Sequence, residues 1–218
     1  LCDIHNHLLP GIDDGSKDLG TSKKMLDALE ALGFKSIIPT PHIYKELYPN
    51  TPESIKEAFQ LFKNHIDHVN TVKLNSYAAE YMVDEVFMQN LEEDSQMLLL
   101  NSNYILLEIN FFGETTMLKS ACFNLRQKDI TPILAHPERY HMIKDISKYR
   151  FLKNHGFYFQ LNALSLLGQY GPEVKQKAEK LLQAGLYDFV ATDAHNVHDL
   201  KKLKNLSLSK KQRVQWES

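Results

Sequence analysis

Seven times along this chain a short run with strand character is followed by a stretch with helical character. The strand-like runs are Leu1–His5, Ser36–Thr40, Val72–Ala79, Tyr104–Asn110, Thr131–Ala135, Phe157–Leu161 and Tyr187–Thr192. Between them, Asp18–Leu32 places Leu26, Leu29 and Leu32 on one helical face and stops at Gly33. Helical character then recurs over Pro52–Val69, Asp84–Leu100, Glu114–Lys128 and a stretch ending near His155 and Gly156. It recurs again over Pro172–Ala184, with Pro172 suited to a first helical turn and Gly185 to an end, and a basic helical tail closes the chain. Strands separated by helices pair in parallel through right-handed crossovers. Seven such units predict an α/β fold, either a closed or nearly closed (β/α) barrel or an open doubly wound sheet. No linker, repeat or low-complexity segment interrupts the pattern, so residues 1–218 are expected to form a single domain.

The bulk properties exclude several classes of partner. A net charge of −2 exerts no global pull toward nucleic acid or an anionic membrane. No apolar run approaches the roughly 20 residues that a membrane span requires, and no secretory signal pattern is present. Two cysteines, Cys2 and Cys122, do not make a disulfide framework, and the expected location is the cytoplasm.

The C-terminal ends of the runs carry the chemistry. In chain order they deliver His5 and His7, His42 in "TPH", Glu80 in "AAEY", Glu108 in "LLEIN", His136 in "LAHPER", Asn162 in "QLNAL", and Asp193 with His195 in "TDAH". In a parallel barrel these ends share one face, where active sites are built. Residues two apart on a strand project to the same side, so His5 faces with His7 and Asp193 with His195. Asp13 and Asp14 follow in a turn bracketed by Gly11 and Gly15, and at least one can fold back over the site. Four carboxylates and five imidazoles are too many for one tetrahedral ion and suit two or three bridged divalent ions. Without metal, such crowded carboxylates are expected to repel one another and rise in pKa. A mixed nitrogen and oxygen set favours Mn²⁺, Fe²⁺ or Zn²⁺ over Mg²⁺ or Ca²⁺. Three such ions would leave the pocket net positive, a seat for a phosphate dianion. Only four residues are Arg, and one of them, Arg139, follows His136 by three positions, placed for a bidentate phosphate contact.

Glu108 lies inside "YILLEIN", where an unpaired buried carboxylate would be costly. Asp3 shares a strand face with His5 and reads as a supporting group beneath the ligands. His65, His68, His141 and His198 read as surface residues, and His155 fits a helix C-terminus. Asn162 orients a ligand or a substrate, or simply closes a strand-end hydrogen bond. Phe111 and Phe112 after Glu108, and Tyr44 and Tyr48 after His42, are aromatics that could wall a pocket for a phosphotyrosine ring.

Together these motifs resemble the PHP (polymerase and histidinol phosphatase) superfamily: an opening H-x-H, a lone His after the second strand, Glu at the third and fourth, H-P-E-R at the fifth and a closing D-x-H. More narrowly, "DIHNHLLPGIDDG", "PTPH", "AAEY" and "LAHPERY" are similar to the CpsB-like bacterial protein tyrosine phosphatases, over Asp3 to about Asn196. The resemblance implies a distorted seven-stranded TIM-like barrel and a trinuclear, usually manganese-dependent site. It implies hydrolysis of phosphotyrosine on the tails of bacterial tyrosine kinases that control capsule or exopolysaccharide export. By matching motif, the implied metal ligands are His5, His7, Asp14, His42, Glu80, Glu108, His136, Asp193 and His195, with Asp14 chosen over Asp13 by the resemblance alone. Arg139 is the implied phosphate contact, and Arg139, Asp14, His42 and His195 are the residues expected to act in catalysis. One stretch departs from the pattern: where family members often carry an Arg after D-x-H, "NVHDLKKLK" offers His198, Lys201 and Lys202.

A cysteine-dependent tyrosine phosphatase needs C-x₅-R. Lys128 stands six after Cys122 and Leu8 six after Cys2, so direct attack by metal-bound hydroxide is the expected route, without a cysteinyl intermediate. A phosphatase for histidinol phosphate or another small ester would use the same fold. A binding module for phosphorylated kinase tails, without turnover, is the alternative of another class.

Overall fold

The computed structural model describes residues 1–66, 71–110, 116–204 and 206. Its strands are β1 (Cys2–Asp3), β2 (Ser36–Ile37), β3 (His42–Ile43), β4 (Glu80–Met82), β5 (Tyr104–Glu108), β6 (Thr131–Ala135), β7 (Tyr158–Asn162) and β8 (Phe189–Ala191). Its helices are α1 (Leu19–Ala31), α2 (Pro52–His65), α3 (Glu85–Glu92), α4 (Thr116–Gln127), α5 (Ile146–Asn154), α6 (Pro172–Gln183) and α7 (Val197–Leu203). Every pairing between these strands is parallel, β1 with β2 and then β3 through β8 in chain order, giving a mixed α/β fold on a parallel sheet.

The second and third strand-like runs differ from expectation. Ser36–Thr40 and Val72–Ala79 do not form continuous strands; β2 is short, and the sheet resumes at His42 and Glu80. The cause is Pro39 and Pro41. Their carbonyls accept from Ala78 N at 2.9 Å and Glu80 N at 3.0 Å, but neither proline has an N–H to return a bond. The pairing there is one-sided, and the two-stranded and six-stranded sheets part at this point. Single parallel bridges flank the smaller sheet, Ser36 with Lys73 and Asn6 with Ala194.

Helical lengths also shift. The stretch Asp84–Leu100 keeps only α3, because Asp94 adopts a left-handed backbone (φ 54°) and Leu98 N donates to the Tyr81 hydroxyl at 2.7 Å. Leu100 then pairs with Tyr104 across a tight turn. The helix expected after β6 is a short turn at Pro137–Arg139, followed by α5. Elsewhere the local signals hold. Asp18 caps α1 by accepting from Thr21 N, Thr51 and Ser54 form a reciprocal capping box at α2 with Pro52 in its first turn, and Met25, Leu26 and Leu29 bury one face of α1.

Strand periodicity sorts the interior into two layers. On β5, Ile105, Leu107 and the following Ile109 pack into the main core with the helices. Leu106 and Tyr104 join a second cluster with Ile133, Ala135, Ala78, Ile4, Ile38, Tyr158 and Phe189. Each of several members stands below a polar residue of the same strand parity: Leu106 below Glu108, Ala78 below Glu80, Tyr158 below Gln160 and Asn162, Phe189 below Asp193. The polar site therefore rests on an apolar floor. Among the described residues no helix is long and apolar enough to cross a membrane.

Candidate metal centre

Eight of the nine sequence-predicted ligands fall into three overlapping groups, within each of which the ligand atoms lie within 4.8 Å of one another. One is His5, His7, Glu80 and Asp193; another His7, Asp14, His42 and His195; the third His42, Glu80 and Glu108. Each pair of groups shares one residue: His7, His42 or Glu80. Glu80 is the hub. Its Oε2 lies 3.0 Å from His5 Nε2, 3.2 Å from His42 Nδ1 and 3.6 Å from His7 Nε2. The ninth, His136, sits beside the groups, its Nε2 2.9 Å from Glu80 Oε1.

Backbone geometry brings these groups in. His136 follows Ala135, whose side chain already faces the apolar floor, so a regular strand would send the imidazole outward. A left-handed backbone (φ 33°, ψ 53°) returns it to Glu80. Asp193 is also left-handed (φ 48°), and its N–H donates to His5 O at 2.8 Å. Non-glycine residues in this region carry strain of order 1 kcal/mol or more, tolerated where surrounding structure over-determines the conformation.

The far side of three of the rings is held. His5 Nδ1 lies 2.9 Å from Gln160 Oε1, His7 Nδ1 2.7 Å from Asp13 Oδ2, and His195 Nδ1 2.9 Å from Asp193 O. Asp13 further accepts from Gly15 N at 3.0 Å and His42 N at 3.2 Å. The two aspartates differ in their contacts: Asp13 meets His7, while Asp14, half-exposed, lies 3.5 Å from His42 Nε2 and 3.4 Å from His195 Nε2. Asp3 is fully buried and ties the first strand to the segment after β8, accepting from Thr192 N at 2.9 Å and Thr192 Oγ1 at 2.7 Å.

The donor set fits divalent ions. His5 Nε2, His7 Nε2, His42 Nδ1 and Glu80 Oε2 are buried and make no hydrogen bond of acceptable geometry. Buried polar atoms are rarely left so, and orphaned imidazole nitrogens converging on a carboxylate oxygen, with the opposite ring nitrogens anchored, form the pattern of a metal site. The mixed nitrogen and oxygen donors suit Mn²⁺, Fe²⁺ or Zn²⁺.

The expected rise in carboxylate pKa does not occur at the hub. Burial alone would raise Glu80 and Asp193, but the histidines around them hold both well below the usual carboxylate range. Asp14 is likewise lowered to about 2, its burial outweighed by His195. Conversely, burial would lower His5, yet Glu80 and Asp193 push it up to about 9, and His7 rises well above its usual value. The carboxylates alternate with imidazoles rather than crowd one another, so protons go to the rings. A raised histidine pKa stabilises the metal-free fold fully below about 6.5 and ceases to do so as pH rises through about 9. Two results are expected. The melting temperature of metal-stripped protein should fall between pH 7 and 9. Metal uptake at pH 7.5 should release protons, visible as a heat that depends on the buffer's ionisation enthalpy. A buffer-independent heat would show that the rings are already neutral.

Arg139 Nη1 donates to Asp193 Oδ2 at 2.9 Å, and its guanidinium carbon stands 4.3 Å from the centroid of Tyr170. Tyr48 stacks on His42, 5.2 Å between centroids and 13° from parallel. Tyr44 is turned to Glu46 at 3.1 Å. Phe111, Phe112 and His68 lie outside the described residues. His198 and Lys201 are exposed, and Lys202 Nζ donates to Gln169 Oε1 at 2.5 Å. Cys122 donates to His155 O at 2.9 Å on α4. Sequence reasoning missed Gln160, Glu138 and Tyr170. Only the "HPER" motif hinted at Glu138, which is fully buried and accepts from Ser165 Oγ at 2.7 Å, Asn162 N at 3.0 Å and Tyr187 OH at 3.0 Å.

Comparison with known proteins accords with this geometry. The tyrosine-protein phosphatase YwqE of Bacillus subtilis (strain 168) is 31% identical over 198 residues, covering 90% of this chain and 78% of that protein. The tyrosine-protein phosphatase CpsB of Streptococcus pneumoniae is 28% identical over 203 residues, covering 90% and 84%. A solved structure from work on YwqE and CpsB, described as unique metal-dependent tyrosine phosphatases, superposes with a TM-score of 0.82 at 30% identity, covering 98% of this chain and 90% of that one. The sequence model for capsular polysaccharide synthesis proteins CpsB/CapC matches residues 1–207, and the chain belongs to that family.

Proposed function

We propose that this chain is a metal-dependent tyrosine phosphatase, and that its substrate is a phosphotyrosine tail of a bacterial tyrosine kinase regulating capsule or exopolysaccharide synthesis. The observation that carries the reading is the set of three His/carboxylate groups sharing His7, His42 and Glu80, with Arg139 tethered to Asp193 beside them. We read residues 1–218 as one phosphatase domain and the strands as a distorted seven-stranded barrel. The single bridges on either side of β1 and β2 support that reading.

In this reading His5, His7, Asp14, His42, Glu80, Glu108, His136, Asp193 and His195 hold two or three ions, Mn²⁺ foremost. Divalent ions bound there supply Lewis acidity, polarising phosphoryl oxygens and lowering the pKa of attacking water. Arg139 presents a planar cation to the phosphoryl group, where charge spreads over the equatorial oxygens. Asp14 Oδ1, between His42 Nε2 and His195 Nε2 at the exposed mouth, would close that edge of the ligand set as an ionised carboxylate. Tyr48, parallel to His42, offers an aromatic face to the substrate's ring. The tyrosine phenolate, with a pKa of about 10, departs without a dedicated acid.

The test is Mn²⁺-dependent phosphate release from a phosphotyrosine peptide and from histidinol phosphate, with His136→Ala and Tyr48→Ala alongside. Release is expected from the peptide, lost in His136→Ala and abolished by a chelator. Tyr48→Ala should raise KM for the peptide roughly tenfold while changing an alkyl phosphate little, the scale of one aromatic contact. Release from histidinol phosphate alone would overturn the substrate. No release from either, with phosphopeptide still bound, would turn the protein into a binding module.

A further inference from the structure

Tyr170 lies between two left-handed glycines, Gly168 (φ 78°) and Gly171 (φ 95°), in the turn that leads into α6. Its ring covers the Arg139 guanidinium at 4.3 Å, and its hydroxyl accepts from Asn162 Nδ2 at 3.0 Å. Asn162 Nδ2 also donates to Asp193 Oδ2 at 2.7 Å, the oxygen that accepts from Arg139 Nη1 at 2.9 Å. The amide orientation is fixed by Asn162 Oδ1, which accepts from Leu164 N at 2.9 Å. Four side chains thus close a ring: Arg139 to Asp193, Asp193 to Asn162, Asn162 to Tyr170, and Tyr170 back to Arg139 through its aromatic face. Beneath it, buried Glu138 holds Asn162 by its backbone N–H.

We infer that Tyr170 is the positioning residue for Arg139, holding the guanidinium plane so that it is presented ready-made to a substrate's phosphoryl group. The inference rests on the phosphatase reading, with Arg139 as phosphate contact. The reason is geometric. The hydrogen bond to Asp193 directs one nitrogen, and the Tyr170 ring lies over the guanidinium, so the contact bears on the tilt of its plane. The Asn162 bond holds the tyrosine in place over it. A cation that is already ordered loses less freedom when it meets phosphate.

The experiment is a double-mutant cycle read on inorganic phosphate affinity, by calorimetry with Mn²⁺-loaded protein, and on kcat and KM for a phosphotyrosine peptide. Tyr170→Leu removes the ring contact and should weaken phosphate binding roughly tenfold, the range of a partly buried cation–π pair. It should raise peptide KM in proportion and change kcat less. Tyr170→Phe keeps the ring and loses only the Asn162 bond, so it should weaken binding about threefold. In an Arg139→Ala background, Tyr170→Leu should change phosphate affinity less than about twofold. Equal effects in both backgrounds, or equal effects of Phe and Leu, would overturn the inference. So would a Tyr170→Leu protein that has lost its metal. Wild-type protein that binds phosphate yet cleaves no peptide would sink the phosphatase reading while leaving the cycle readable. Wild-type protein that binds no phosphate would sink both.

Discussion

Glu80→Gln is expected to lower kcat/KM on a phosphotyrosine peptide by roughly a thousandfold or more, about 4 kcal/mol of transition-state stabilisation. Glu80 is shared by two of the three ligand groups, and its oxygens meet His5, His42, His7 and His136 within 3.6 Å. The amide is nearly the same shape but carries no charge and turns an N–H donor toward one of the two sides. One oxygen available to both groups would be lost, together with the negative charge it offers to ions held there. Metal analysis after dialysis should therefore show fewer ions per chain alongside the kinetic loss. The same change should reduce proton uptake by metal-free protein near neutrality, because Glu80 is a principal reason that His5 holds its proton. A Glu80→Gln protein with full metal content and more than a tenth of wild-type activity would remove Glu80 from the centre.

The second large effect is expected from a residue with no side chain. A Cβ at Gly15 would stand 2.2 Å from His7 O and 2.3 Å from His7 Cβ, neither of which belongs to a flexible side-chain end. Ser16 N donates to that same His7 carbonyl at 3.0 Å, so the turn is pressed against the strand end by its own hydrogen bond. Gly15→Ala must push the turn away, and the turn carries both Asp13, which orients His7, and Asp14. Overpacking of this kind costs about 1–3 kcal/mol in stability. A displacement on the order of 1 Å at reacting groups costs on the order of a hundredfold in rate. Melting temperature and kcat/KM together check this. A Gly15→Ala protein with unchanged activity would mean that the turn does not position the site.

The gathering of these histidines and carboxylates on one face was legible because it depends on local rules. Alternating β and α segments force parallel pairing, parallel pairing sends every strand end to one face, and period-two alternation decides which residue there faces inward. Glu108 in "YILLEIN" and Glu80 in "AAEY" follow from those rules. The rules failed where the backbone left them. Pro39 and Pro41 displaced the second and third strands from their expected runs, although each proline was visible in the sequence. The strand-like run Val72–Ala79 carries suitable residues, but Pro39 and Pro41 opposite its end have no N–H to donate.

By itself the sequence determined the fold class, the face on which the site lies and most of the groups gathered there, since all three follow from spacing along the chain. Tertiary structure alone decided how those groups are used. That Asp13 orients while Asp14 faces the cluster, that His136 reaches Glu80 through a left-handed residue, and that Arg139 lies between Asp193 and Tyr170 depend on backbone turns and distant partners. The bond between His5 and Gln160 spans 155 positions, and that between Asp3 and Thr192 spans 189. Periodicity specifies a direction for each side chain but not what stands at its far end, and the state of a buried imidazole or carboxylate is set by that neighbour's charge and distance.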